Sequence, residues 1–283
     1  MNHHIASRAG TLTLGDTTVN RMGFGAMRIT GQGVWGPPAD PEECKRVLRR
    51  AVELGVNFID TADSYGPHVS EELIAEALSP YPDGLVIATK AGFARPGPNR
   101  WEPDGRPEHI REAIEGSLRR LRLERIDLYQ VHTPDRKVPY EETLGAFRDL
   151  QQAGLVRHIG VSNVSVEQLG VARGIVEVVS VQNRYNLTDR ASEPVLEACT
   201  REGLPFIPWY PLATGKLAGE AIERVASRRA LTPTQVGLAW LLHHSTVMLP
   251  IPGTSKVGHL EENVAAAEVE LTDEDIRELE AAA

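Results

Sequence analysis

Short β-rich runs alternate with longer helical patterns through most of this chain. Eight runs read as strands: 22–26, 57–60, 85–90, 126–132, 156–162, 178–182, 205–210 and 247–251. Ahead of them, residues 11–20 predict a β-hairpin acting as a lid, with its turn at Gly15-Asp16. Helix starts are marked by capping chemistry. Asp40 precedes Pro41, Glu42 and Glu43; Ser70 precedes Glu71 and Glu72; Ser165 and Gln168 form a capping box. Thr232-Pro233 and Thr272-Asp273 open two more helices, and Gly154 and Gly203 stand where helices should stop.

Eight buried strands joined by helical crossovers predict an α/β fold, a parallel (β/α)8 TIM barrel with an N-terminal β-hairpin and extra C-terminal helices. An open doubly wound sheet is the alternative. The stretch before the eighth strand is longer than a minimal unit and predicts an extra helix. No linker or low-complexity segment interrupts the pattern, so residues 1–283 are expected to form a single domain.

Composition narrows the function classes. Hydrophobic residues make up 41% of the chain, too many for a disordered protein. No run of about 18 apolar residues is present, which argues against a membrane span, and the first ten residues lack a secretory core. Two distant cysteines, Cys44 and Cys199, make neither a disulfide scaffold nor a zinc site, so a cytoplasmic setting is expected. With 30 basic and 39 acidic side chains the net charge is −9, which argues against nucleic acid as a partner but allows a local basic pocket for one phosphorylated ligand.

Two glycine motifs mislead. Gly31 to Gly36 matches G-x-G-x-x-G, but Pro37 and Pro38 follow it instead of a helix, so a loop over the barrel mouth is expected. Gly215-Lys216 lacks the rest of a P-loop. No H-x-H or H-E-x-x-H pair occurs, and no metal site is expected.

In a (β/α)8 barrel, chemistry gathers at the C-terminal strand ends. Here those ends present Asp60 with Tyr65 just beyond, Lys90, His132, Ser162 and Asn163, Gln182, and Trp209 with Tyr210; the last strand leads into Gly253, Thr254, Ser255 and Lys256. Asp, Tyr, Lys and His on one face can move a proton. An ammonium near a phenol should lower its pKa, and an acidic phenol facing a carbonyl can protonate the alkoxide that hydride addition leaves. Singly, each residue has a plainer structural reading: a turn aspartate, a packed loop tyrosine, a snorkelling lysine, a rim histidine. Four such coincidences at matching positions favour chemistry.

These residues also carry a resemblance. F-I-D-T-A-D-S-Y-G at 58–66, the lysine after L-V-I-A-T, D-L-Y-Q-V-H ending at His132, G-V-S-N at 160–163, V-Q-N-R-Y-N at 181–186 and I-P-G-T-S-K at 251–256 with E-E-N at 261–263 resemble the aldo-keto reductases over nearly the whole chain. The resemblance implies an NADPH-dependent oxidoreductase reducing aldehyde or ketone carbonyls, with NADH a weaker second cofactor. Tyr65 would be the general acid, Asp60 and Lys90 would tune it, and His132 would orient the carbonyl. Ser162, Asn163 and Gln182 would bond the nicotinamide carboxamide. Trp209 would stack on the ring, at a position more often Tyr.

Ala26 and Met27 would line the cofactor's edge, and Leu212 and Gly215 would run beside the pyrophosphate. Past Gly253, Thr254, Ser255 and Lys256 would grip a 2′-phosphate, for which an ammonium, hydroxyls and a helix start are suited. His259 stands where Arg is frequent, and Glu262 and Asn263 would face the adenine. Trp35, Phe93, Trp101 and the 31–38 loop are candidate substrate-pocket walls. G-V-W-G-P-P at 33–38 and Y-G-P-H at 65–68 are similar to a bacterial branch that includes pyridoxal reductases, implying pyridoxal–pyridoxine interconversion. The alternative function is a cofactor-binding regulatory subunit of the channel β-subunit type.

Overall fold

In the computed structural model, which describes residues 4–212 and 219–282, the chain opens with an antiparallel hairpin, β1 (Thr11–Leu14) and β2 (Thr17–Asn20). There follow β3 (Phe24–Gly25), α1 (Pro41–Glu53), β4 (Phe58–Asp60), α2 (Val69–Leu78), β5 (Val86–Ala91), a second hairpin of β6 (Phe93–Gly97) and β7 (Arg100–Pro103), α3 (Pro107–Leu121), β8 (Ile126–Val131), α4 (Tyr140–Gln152), β9 (Val156–Ser162), α5 (Val166–Arg173), β10 (Val178–Arg184), α6 (Glu193–Glu202) and β11 (Phe206–Trp209). The chain continues through α7 (Glu220–Arg229), α8 (Pro233–His244), α9 (Val257–Ala265) and α10 (Asp273–Ala281).

Seven strands form one curled parallel sheet in the order β3-β4-β5-β8-β9-β10-β11. Residues 247–252 lie between its two edges. Phe206 N–H donates to Val247 O (2.9 Å) and Leu249 N–H to Phe206 O (2.8 Å); on the other flank Gly23 N–H donates to Pro250 O (2.9 Å) and Gly25 N–H to Pro252 O (3.4 Å). The run expected as an eighth strand is thus extended but is not a regular strand, because Pro250 and Pro252 have no N–H to return to β3.

Alternation along the strands divides the core in two. Phe58, Val86, Ala88, Leu128, Val179 and Ile207 point into the sheet's hollow, while Ile59, Ile87, Tyr129, Val131, Ile159 and Val161 face the helices. Leu14 and Val19 of the first hairpin join the inner set. Its turn packs on β9, where Asp16 accepts from His158 Nε2 (2.6 Å) and Arg157 Nη2 (2.9 Å). Gly15 (φ +61°) is needed there, since a Cβ would meet the His158 ring at 2.2 Å. The hairpin therefore plugs the hollow at the N-terminal ends of the strands and leaves the other end open.

Most expected caps form. Asp40 accepts from Glu43 N–H, and Ser165, Thr232 and Thr272 complete capping boxes. Ser70 does not cap α2, which begins at Val69 after His68. Its hydroxyl is buried between Thr61 Oγ1 (2.8 Å) and Ala26 O (3.1 Å), tying the helix to the loop after β4. The β6–β7 hairpin was not expected: Pro96, Gly97 and Pro98 break any strand pattern. Among the described residues, no helix is long and apolar enough to cross a membrane.

Candidate active site

Asp60 ends β4 and Lys90 lies next to last in β5, both on the inward phase set by Phe58, Val86 and Ala88. Lys90 is 0% exposed and Asp60 2%, which removes the snorkelling alternative. The Lys90 ammonium donates to Asp60 Oδ1 (2.5 Å), Thr61 O (2.8 Å) and Tyr65 Oη (3.3 Å). Burial works against its charge, but Asp60 and Tyr65 outweigh burial and raise its pKa. Asp60 Oδ2 accepts from Gln130 Nε2 (2.9 Å) and Gln182 Nε2 (2.8 Å), so the carboxylate is fully engaged.

Gln130 was missed in the sequence. Its signal is parity: it shares the inward phase of β8 with Leu128, a polar residue where an apolar one would be ordinary. Gln182 reaches the same carboxylate because β10 carries a register shift between Val178 and Ser180. The bulge moves the inward phase from Val179 to Ser180 and Gln182, leaving Gln182 opposite Ser162.

Tyr65 sits on the loop after β4, 7% exposed, with its hydroxyl above Lys90. The phenol pKa departs from expectation. Burial raises it, and the Lys90 ammonium lowers it without reversing the rise, so Tyr65 stays a protonated phenol. His132 follows β8 and is held by its own N–H on Ala91 O (2.8 Å), with Asn163 Nδ2 on its carbonyl (2.9 Å). Its ring stands edge-on to Tyr65 (5.8 Å between centroids) and to Phe93 (4.7 Å). Burial, then the Lys90 and Arg95 charges, push its pKa well below 6.5, so it is a neutral imidazole.

These groups open onto a cavity of about 550 Å³. Of the expected site residues, Met27, Asp60, Tyr65, Phe93, Trp101, His132, Ser162, Asn163, Gln182, Trp209, Leu212 and Gly253 line it. Lys90 lies beneath the floor. Ala26 is wholly buried, and its carbonyl is taken by Ser70. Trp35 is displaced from the wall: Val34 lines the cavity, while Trp35 pairs through the backbone with Gly66. Gly215 lies outside the described residues. Val34 of the 31–38 loop, Tyr210 at its strand end and Ile251 of the 251–256 motif line it too, as does Arg28, which the sequence did not single out because only the chain's path places it there. The G-x-G-x-x-G segment is a closed loop beside Tyr65, with Gly31 N–H on Gly36 O (2.9 Å), and it builds no helix start.

Several polar groups fit a nicotinamide cofactor. Gln182 has its nitrogen committed to Asp60 and Gln130, leaving Oε1 as the atom that can accept from a carboxamide. Ser162 offers a hydroxyl beside it in register. Asn163 is engaged on both amide atoms, donating to His132 O and accepting from the Trp209 indole N–H (2.9 Å), which fixes Trp209 as a wall. Gly253 leads to Thr254, Ser255 and Lys256 at the start of α9; Lys256 and His259 are exposed. Glu262 accepts from Thr232 Oγ1 (2.6 Å), and Asn263 is buried.

One contact there was unexpected. Glu43 of α1 accepts the Val257 N–H at the α9 start (3.2 Å), so one N–H of the helix start expected to serve a phosphate is already bonded to a carboxylate of the protein. A larger depression, about 680 Å³, lies at another face around Arg8, Arg21 and Glu268, but Arg21 is committed to the carbonyls of Ala9, Leu242, Ser245 and Met248.

The sequence model of the Aldo/keto reductase family matches residues 21–283. An uncharacterized oxidoreductase of Schizosaccharomyces pombe is 52% identical over 95% of this chain and 88% of its own length. The pyridoxine 4-dehydrogenase of Escherichia coli is 43% identical over 94% of this chain and 96% of its own. The crystal structure of an aldo-keto reductase from Klebsiella pneumoniae in complex with NADPH superposes with a TM-score of 0.82 at 26% identity, covering 96% of this chain and 94% of that one.

Proposed function

Because the chain belongs to the aldo/keto reductase family, we propose that it reduces aldehyde or ketone carbonyls to alcohols with NADPH, Tyr65 serving as general acid. The observation that carries this reading is the chain of contacts Asp60–Lys90–Tyr65 at the floor of a cavity walled by His132. A reduced nicotinamide, when bound, supplies hydride to the carbonyl carbon. The protein's own groups handle the oxygen. The neutral His132 imidazole can donate a hydrogen bond to the carbonyl oxygen and aim it at Tyr65. The phenol then delivers its proton as negative charge grows on that oxygen, and the Lys90 ammonium stabilises the phenolate left behind. Asp60 holds Lys90 charged, which a buried lysine alone would not be.

We read residues 1–283 as one domain, a (β/α)8 barrel with 247–252 as its eighth stave; backbone bonds on both flanks of that segment support this. Ser162 and Gln182 would hold the carboxamide, Trp209 the ring face, Met27, Leu212 and Gly253 the cofactor's edge, and Lys256 with Thr254 and Ser255 the 2′-phosphate. The E. coli relative makes pyridoxal a leading substrate, with pyridoxine oxidation as the reverse reaction. The test is NADPH oxidation by the purified protein with pyridoxal, 4-nitrobenzaldehyde and a panel of aliphatic aldehydes. Tight NADPH binding with no turnover on any of them would replace this reading with the regulatory-subunit one.

A further inference from the structure

The β6–β7 hairpin lines the cavity through Phe93 and Trp101, and one of its side chains bonds to three segments. Arg95 donates through Nη1 to Ser64 O (2.6 Å), through Nη2 to Gly33 O (3.2 Å) and through Nε to Arg100 O (2.8 Å). Those carbonyls belong to the loop after β4, the 31–36 loop and β7. The Gly33 carbonyl also accepts the Asn99 N–H (3.0 Å), a second tie between that loop and the hairpin. The guanidinium lies 3.6 Å from the Trp101 ring centroid and 5.8 Å from that of Trp35. Trp101 in turn stands edge-on to Tyr65, with centroids 6.2 Å apart.

Two consequences follow from this placement. Ser64 immediately precedes Tyr65, so Arg95 pins the backbone next to the proton donor. The same guanidinium covers the Trp101 indole, which lines the cavity beside Tyr65 and His132. Only a planar fork can satisfy three divergent carbonyls while one face stacks on an indole; a lysine ammonium cannot. We propose that Arg95 is a positioning residue for carbonyl reduction, holding the Ser64–Tyr65 backbone and the Trp101 wall as one preassembled unit. This rests on reading the site as a carbonyl reductase.

The test compares wild type with Arg95→Met and Arg95→Lys by hydrogen–deuterium exchange and by steady-state kinetics with 4-nitrobenzaldehyde. In Arg95→Met, exchange should rise together in 31–36, 62–66 and 93–103 and stay unchanged elsewhere. Its KM should rise as the Trp101 wall loosens and its kcat should fall as Tyr65 drifts, with kcat/KM lower on the order of 10–100-fold. NADPH affinity, read by fluorescence, should not move. Arg95→Lys should rescue neither parameter, and it carries the comparison if the methionine variant does not fold. Wild-type kinetics in Arg95→Met, full rescue by Arg95→Lys, or a kinetic loss without the exchange change would each overturn the proposal. Failure of wild type to reduce any aldehyde would defeat the functional reading instead, and the exchange experiment would still decide whether Arg95 is the clamp.

Discussion

Tyr65→Phe separates chemistry from scaffolding at this site. Among the described residues the phenol oxygen has one hydrogen-bond partner, the Lys90 ammonium at 3.3 Å, which is long for a charge-assisted bond. Lys90 keeps its shorter contacts to Asp60 (2.5 Å) and Thr61 O (2.8 Å) when the hydroxyl is removed. The stability cost should therefore be no more than about 1 kcal/mol, the usual net worth of one hydrogen bond. The catalytic cost is larger. Loss of a general acid is worth about 10²–10⁴-fold, or about 2.7–5.4 kcal/mol of barrier at about 1.36 kcal/mol per decade. The assay is aldehyde reduction at saturating NADPH, paired with cofactor affinity by fluorescence and the thermal midpoint. Turnover should collapse while the other two hold. Turnover close to wild type would refute the proton-donor role, and a large fall in thermal midpoint would mean that Tyr65 acts mainly as packing.

Other expectations concern protons and the cofactor. With the Tyr65 pKa raised and the His132 pKa depressed, kcat/KM for reduction should be flat through neutral pH, falling only well below pH 6.5 or above pH 10; an inflection near neutrality would contradict these assignments. Asp63 is buried with Oδ1 unpaired, and burial first, then Glu71, push its carboxyl up from 3.8 to about 8. Both states hold this proton below the unfolded value, but only the folded one does between there and about 8, so the group's contribution to stability is lost as pH rises through that window. Asp63→Asn should flatten the slope of unfolding free energy against pH by up to about 1.4 kcal/mol per unit, checked by urea unfolding from about pH 5 to about pH 8; an unchanged slope would sink the argument. At the α9 start, Lys256→Ala should weaken NADPH far more than NADH, whereas Glu43→Ala should strengthen NADPH selectively by freeing the Val257 N–H; equal changes for both cofactors would exclude a 2′-phosphate at that spot.

Much of the site was legible because its signals are local. Asp60, Lys90 and His132 stand at successive strand ends, and strand ends follow from where apolar runs stop. Gln130 was equally available to a reading of strand parity. Arg95 was not: it sits among Arg and Pro residues in a segment without periodicity, and its role depends on carbonyls from two other loops. Trp35 and Val34 exchanged places for a related reason. Both are apolar neighbours in one loop, and only the loop's docking on Gly66 decides which faces the cavity.

By itself, the order of hydrophobic and polar positions determined the first hairpin and the seven strands of the parallel sheet, most helix caps and the types of residue that meet at the open end. These depend on periodicity and on bonds spanning three or four residues. The tertiary structure decided the rest. It placed the first hairpin at the closed end, left residues 247–252 extended but irregular, and seated Glu43 on α9. It also reversed the expected direction of the Tyr65 pKa. That reversal has a simple cause: the sequence showed that an ammonium stood near the phenol, but only the fold showed how completely both were removed from water, and at this site burial outweighs the neighbouring charge.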